Sequence, residues 1–195
     1  AFDTAVTNLP AEIRFDSETA ITQAETLLKE LDDQGLKELT KQESRDALVD
    51  AREKLNLLKD RRDAVVNTVP TVSLDKADKD ALAALRQEVK DLEALGTTFT
   101  EEELKNLTDA EAALGILEDR SAAAHAAVAE LPAAEAAGEE ILYTQKNEIT
   151  DLANEVADLI QNGKDSSFTT EETDKVAAAQ KAIDDIDTAK TALEN

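Results

Sequence analysis

The chain has only three prolines, and all of them stand behind the same phrase. It reads Val6-Thr7-Asn8-Leu9-Pro10, then Val66-Asn67-Thr68-Val69-Pro70, then Val128-Ala129-Glu130-Leu131-Pro132. A phrase that returns about every 60 residues marks a repeated supersecondary unit, and such a period constrains the fold more than any local signal does. Behind each proline comes a helical stripe with apolar steps of three, four and three. The stripes are Ile21, Ala24, Leu28, Leu31, then Leu82, Leu85, Val89, Leu92, then Ile149, Leu152, Val156, Leu159. That spacing lines one face of a helix and cannot line one face of a strand.

Two punctuation marks follow each stripe. Gly35, Gly96 and Gly163 stand just beyond the last stripe residue, where glycine supplies the left-handed conformation that closes a helix. Next comes an apolar residue, a threonine and, three residues on, a glutamate: Leu39-Thr40 with Glu43, Phe99-Thr100 with Glu103, and Phe168-Thr169 with Glu172. This is the capping box that opens a helix, and the preceding apolar residue is placed for a hydrophobic staple. A heptad seam runs on from each box. It passes through Leu48, Ala51, Leu55, Leu58, Arg62, Val65 and Val69, through Leu107, Ala110, Leu114, Leu117, Ser121, Ala124, Val128 and Leu131, and through Val176, Ala179, Ile183, Ile186, Lys190 and Leu193.

The phrase before each proline is thus the tail of a long helix, ended because the residue before proline resists the helical conformation. The expected fold is all-α: three tandem small three-helix bundles joined by shared continuous helices into an elongated rod. The repeats are placed at residues 1–61, 62–121 and 122–195. Arg62, Ser121 and Lys190 fill one polar slot of the seam, read here as the place where one core ends and the next begins. In the third repeat proline and glycine lie further apart, and Leu142, a heptad before Ile149, predicts a helix longer by about two turns.

Composition removes several functions. With 44 acidic against 21 basic residues the net charge is −23, which opposes binding to nucleic acid and to an anionic membrane surface. No apolar run approaches the ~20 residues of a membrane span, and no signal peptide is visible. There is no cysteine, so disulfides, thiolate metal sites and cysteine nucleophiles are excluded. The chain begins Ala-Phe-Asp and has no methionine. It is expected to be a piece of a longer polypeptide whose anchoring regions lie outside it.

The pattern "Leu-Pro, short gap, acidic helix, turn, capped helix" resembles tandem helical repeats of large Gram-positive bacterial surface proteins. These are the FIVAR-like and S-layer-homology-associated repeats, and the small three-helix albumin- and immunoglobulin-binding modules are similar in type. The resemblance rests on pattern over the whole chain. It implies a helical module of an extracellular protein and assigns a role to no residue.

Candidate chemistry is sparse. His125 is the only histidine, which disfavours a zinc site or a triad; a solvated or junction-packing role is expected. The acidic runs Asp75 to Asp80 and Asp184 to Asp187 lack the order of a calcium loop and read as helix starts and solvated faces. Glu101 to Glu103 and Glu139-Glu140 read as helix starts too. Tyr143 and the four phenylalanines are too dispersed for a sugar platform. The expectation is therefore no catalytic residue, no cofactor, no metal and no deep pocket. The chain is read as a monomeric, non-catalytic spacer or stalk of a cell-surface protein. The alternative is an adhesin-type module that recognises a host protein or a glycan on an exposed helical face.

Overall fold

The computed structural model describes residues 1–194. Among these the chain forms eight α-helices, three single turns of 3-10 helix and no strand. The helices are α1 (Phe2–Thr7), α2 (Glu18–Asp33), α3 (Gln42–Asn67), α4 (Lys76–Ala94), α5 (Lys105–Ala129), α6 (Ala137–Glu140), α7 (Lys146–Gln161) and α8 (Thr170–Glu194). The all-helical class expected from the apolar periodicity is what the chain adopts.

Contacts divide the chain into two compact units. One holds Ala1–Val69 with Ala83–Leu107, and the other holds Pro70–Leu82 with everything described from Thr108 onward. In the first unit, α1, α2 and α3 share a core of Phe2, Val6, Ile21, Ala24, Leu48, Ala51 and Leu55. Leu28 and Leu31, the outer half of the α2 stripe, pack against its edge. Further along the same seam of α3, Leu58 and Val65 are also buried, as are Val89 and Leu92 of α4. Helix α3 runs unbroken through Leu58, Arg62 and Val65. The second unit has two clusters. One joins Ala124 and Val128 of α5, Val156 and Leu159 of α7, and Val176 of α8. The other joins Ala137, Ile141, Ile149, Ala179, Ala182 and Ile183.

Helices α1, α3 and α5 end at Thr7, Asn67 and Ala129, each a few residues before its proline. Side chains at two of these ends bond back to carbonyls one turn earlier, competing with further helix. Thr7 Oγ1 donates to Asp3 O at 2.8 Å. Asn67 Nδ2 and Thr68 Oγ1 donate to Asp63 O and Ala64 O, each at 2.7 Å. The proline thus forbids re-entry into a helix that its polar neighbours have already closed.

Gly35 and Gly96 adopt φ of 70° and 93°. Leu36 N–H donates to Leu31 O and Gly35 N–H to Asp32 O; Thr97 N–H to Leu92 O and Gly96 N–H to Glu93 O repeat the pair. This is the Schellman closure. Gly163 departs from the expectation. The left-handed residue at the end of α7 is Lys164, with φ 52°. The turn is wider, with Gly163 N–H donating to Asp158 O and Asp165 N–H to Leu159 O. Glycine is needed at 163 for close approach, because a Cβ there would lie 2.7 Å from the Leu159 carbonyl oxygen.

Two other expectations are corrected. Leu142 does not lengthen α7 backwards, for it is exposed and extended at the start of a 3-10 turn, and Ile141 is the buried residue instead. The additional residues of this stretch form the separate turn α6, and Gln145 Oε1 accepts from Leu142 N–H at 2.8 Å, so the chain is redirected before α7 begins. The box at Thr40 and Glu43 does not form either. Thr40 Oγ1 donates to Lys37 O, and α3 starts after Lys41 with no cap from its own neighbourhood. Asp3 of α1 takes over that task.

Candidate functional site

The most elaborate polar structure in the chain is a joint that recurs three times. In each case a side chain on one helix grips the chain at or just before the start of another helix, roughly forty residues later. In the first joint, Asp3 Oδ1 accepts from Lys41 N–H at 3.1 Å, at the start of α3. A hydrogen bond from the Ser44 side chain is the main reason the Asp3 carboxyl titrates below its ordinary value, with the Lys41 N–H adding to it.

The second joint is built on Arg62 of α3. The capping box opposite it is complete: Thr100 N–H donates to Glu103 Oε2 at 2.9 Å and Glu103 N–H to Thr100 Oγ1 at 3.2 Å. Arg62 Nη2 donates to the other carboxylate oxygen of Glu103 at 2.6 Å, and Arg62 Nε donates to Thr97 Oγ1 at 3.2 Å. The guanidinium carbon lies 5.1 Å from the centre of the Phe99 ring, a cation–π distance. The Thr100 N–H, and after it Arg62, lower the Glu103 carboxyl.

The third joint places His125 of α5 in the same role. Thr169 and Glu172 complete their box, with Thr169 N–H donating to Glu172 Oε2 at 2.8 Å and Glu172 N–H to Thr169 Oγ1 at 3.2 Å. His125 Nδ1 lies 2.7 Å from Glu172 Oε1, and His125 Nε2 lies 2.9 Å from Ser167 Oγ. The imidazole stacks on Phe168 with ring centres 4.1 Å apart. The Thr169 N–H, followed by His125, holds the Glu172 carboxyl down to about 2.

Ser167 in turn connects the ring to Asp165, which is only 5% exposed. Its carboxylate accepts from Ser121 Oγ, Ser167 N–H and Ser167 Oγ. Burial alone would push this carboxyl up, yet the hydrogen bonds from Ser121 and Ser167 outweigh it and leave the group below its ordinary value. The heavy-atom order Ser167, His125, Glu172 matches a nucleophile–base–acid relay. The hydrogen does not follow that order: the one Ser167 hydroxyl hydrogen is directed at Asp165, so Ser167 faces His125 as an acceptor.

The other residues singled out from the sequence have local partners. Asp75 Oδ1 accepts from Ala77 N–H at the start of α4. Asp78 takes hydrogen bonds from Ser73 and, at 3.0 Å, from Lys164. In the run from Asp184, Asp185 pairs with Lys181 and Asp187 with Lys146. Glu139 and Glu140 lie in α6. The Tyr143 ring is faced by Lys190 and Lys146, whose ammonium nitrogens are 5.0 and 5.7 Å from its centre. Among the described residues, no group of three or more His, Cys, Asp or Glu is placed to hold a metal ion, and no helix is long and apolar enough to cross a membrane. A shallow cleft of about 460 Å³ lies between α2 and α3, floored by Leu28, Leu48 and Val49 and edged by Arg45 and Arg52.

Sequence reasoning singled out Arg62 and Ser121 as polar breaks in an apolar seam but assigned them no partner. The Phe-Thr-x-x-Glu phrase was the missing signal. Its phenylalanine and glutamate together make a slot for a flat polar side chain, filled by Arg62 of the seam in one joint and by His125, next to the seam residue Ala124, in the other. No family profile, no curated protein and no solved structure matches this chain.

Proposed function

We propose that the chain is a non-catalytic spacer of an extracellular bacterial surface protein, built from three tandem three-helix units that share continuous helices and form an elongated rod. The observation that carries this reading is the recurrent joint. Three times the most developed polar geometry in the chain is spent on fixing one helix to the start of another, at Asp3, Arg62 and His125. A spacer needs this, since its task is to hold a length against thermal bending. The long seams of α3 and α5, 26 and 25 residues without a break, add support because a long uninterrupted helix resists bending along its own length.

Small-angle scattering tests the proposal. A compact 195-residue sphere would have a radius of gyration of about 16 Å, whereas a rod of helices each spanning about 38 Å end to end should exceed about 25 Å. A value near the lower figure overturns the rod and with it the spacer. The second reading, a module that binds a host protein or glycan, draws on the cleft between α2 and α3, where Val49 is 57% exposed beside two arginines. Saturable binding of the chain on a glycan array or to serum proteins, lost in Val49→Asp, would favour that module.

A further inference from the structure

We propose that the His125 joint is a proton-operated fastener: it grips the start of α8 while the imidazole carries both protons and loosens when one is lost, whereas the Arg62 joint, of the same build, stays closed at any physiological pH. The warrant is the count of hydrogens around Ser167. Its single hydroxyl hydrogen goes to the buried Asp165 carboxylate, which can only accept. Ser167 Oγ therefore meets His125 Nε2 as an acceptor, and Nε2 must carry a hydrogen. At the other side of the ring, Glu172 is a carboxylate and likewise only accepts, so Nδ1 must carry one too. Both ring nitrogens donating is the imidazolium form.

The charges around the ring agree with that form. Glu172 of α8 meets one ring nitrogen directly, and Asp165 of the preceding turn holds the hydroxyl of Ser167 that meets the other. The other charged groups nearby are already engaged. Arg120, one turn before on α5, binds Glu155 and Asp158 of α7, and Lys164 of the turn pairs with Asp78.

When the pH rises and the Nε2 proton passes to solvent, two lone pairs face each other across 2.9 Å. Ser167 can relieve this only by turning its hydrogen from Asp165 to His125. Asp165 then keeps two of its three donors while remaining buried, and a buried carboxylate short of a donor is costly. Either outcome weakens the turn that leads into α8. Arg62 offers no such choice, because a guanidinium does not deprotonate in proteins. An imidazolium has a ring proton to give up and a guanidinium does not, so the two joints respond differently to a rise in pH.

Amide hydrogen exchange on the full chain tests this, read by NMR at pH 5.5 and 8.5. The amides of Glu172 and Thr173, which bond to Thr169, report the His125 joint. Those of Glu103 and Leu104, which bond to Thr100, report the Arg62 joint. Taking the ratio of protection factors cancels the intrinsic pH dependence of exchange. We expect protection at Glu172 to fall about tenfold relative to Glu103 on going to the higher pH, the size of one charge-assisted hydrogen bond. His125→Arg should abolish that change, and Arg62→His should transfer it to Glu103. A ratio constant within about twofold overturns the proposal. So does a response that persists in His125→Arg, or an Arg62→His chain whose Glu103 amide ignores pH.

Discussion

Replacing Asp60 with proline tests whether α3 works as one continuous beam. Asp60 is exposed and lies in the stretch between the buried Leu58 and Val65. Proline there removes the bond from residue 60 N–H to the carbonyl four residues earlier and drives its ring into that carbonyl, a cost of about 3 kcal/mol or more. The effect reaches further than one bond. Upstream, Leu48, Ala51 and Leu55 seat α3 against α1 and α2. Downstream, Arg61 holds Glu88 through two bonds of 2.7 and 2.9 Å, and Arg62 holds Glu103. A kink at 60 cannot keep both ends seated. For a chain of this size each kcal/mol moves the melting temperature by roughly 2–4 °C, so Asp60→Pro should melt about 6–12 °C lower by circular dichroism at 222 nm. Asp60→Ala, which alters the side chain and leaves the backbone intact, should stay within about 0.5 kcal/mol of the parent. If the two variants melt within about 2 °C of each other, α3 is not continuous at this point.

Further outcomes follow from the helix ends. Gly163→Ala must push a Cβ against the Leu159 carbonyl at 2.7 Å, so it should lower the denaturation midpoint clearly more than Gly138→Ala, where nothing lies within 4 Å. Equal midpoints would remove the close-approach account of Gly163. Glu172 is held down to about 2 against an ordinary 4.5, so on the acid side its contribution is fully present from about pH 4.5 and is lost as the pH falls through about 2. The stability gap between the parent and Glu172→Gln should therefore narrow as the pH falls below about 4.5, and urea midpoints at several pH values would show it. A gap that widens in acid would reverse the sign of the argument.

The helical class was legible because its signals are local and repeated. Ile21 to Leu31, Leu82 to Leu92 and Ile149 to Leu159 each show one apolar stripe, and each lies within a helix. Caps were legible where the capping residues are neighbours in sequence, as at Thr100 and Thr169. Where the partner comes from afar the reading failed. Thr40 looks like its two counterparts, yet its hydroxyl turns back to Lys37 and Asp3, 38 residues before Lys41, takes the Lys41 N–H instead. Gly163 looks like Gly35 and Gly96, but a wider turn moves the left-handed residue to Lys164. The joints escaped for the same reason. A periodic pattern reports that Arg62 and Ser121 interrupt a seam, and it cannot report that Phe99, Glu103 and Asp165 are waiting opposite.

The joints also bear on the order in which the chain can fold. Arg52 reaches Glu25 and Arg61 reaches Glu88 across 27 residues; Asp3 reaches Lys41 across 38; Arg62 reaches Glu103 across 41; His125 reaches Glu172 across 47. Loops of this size close quickly and at little entropic cost compared with pairings across a whole chain. As the polypeptide leaves a ribosome or a translocation pore, each latch therefore finds its catch a few seconds after it emerges, at the usual rates of synthesis. Only bonds such as Arg14 to Ala94 and Lys164 to Asp78, 80 and 86 residues apart, must wait longer. Folding can proceed from the N-terminus in step with emergence, and little apolar surface is left waiting for a partner not yet made.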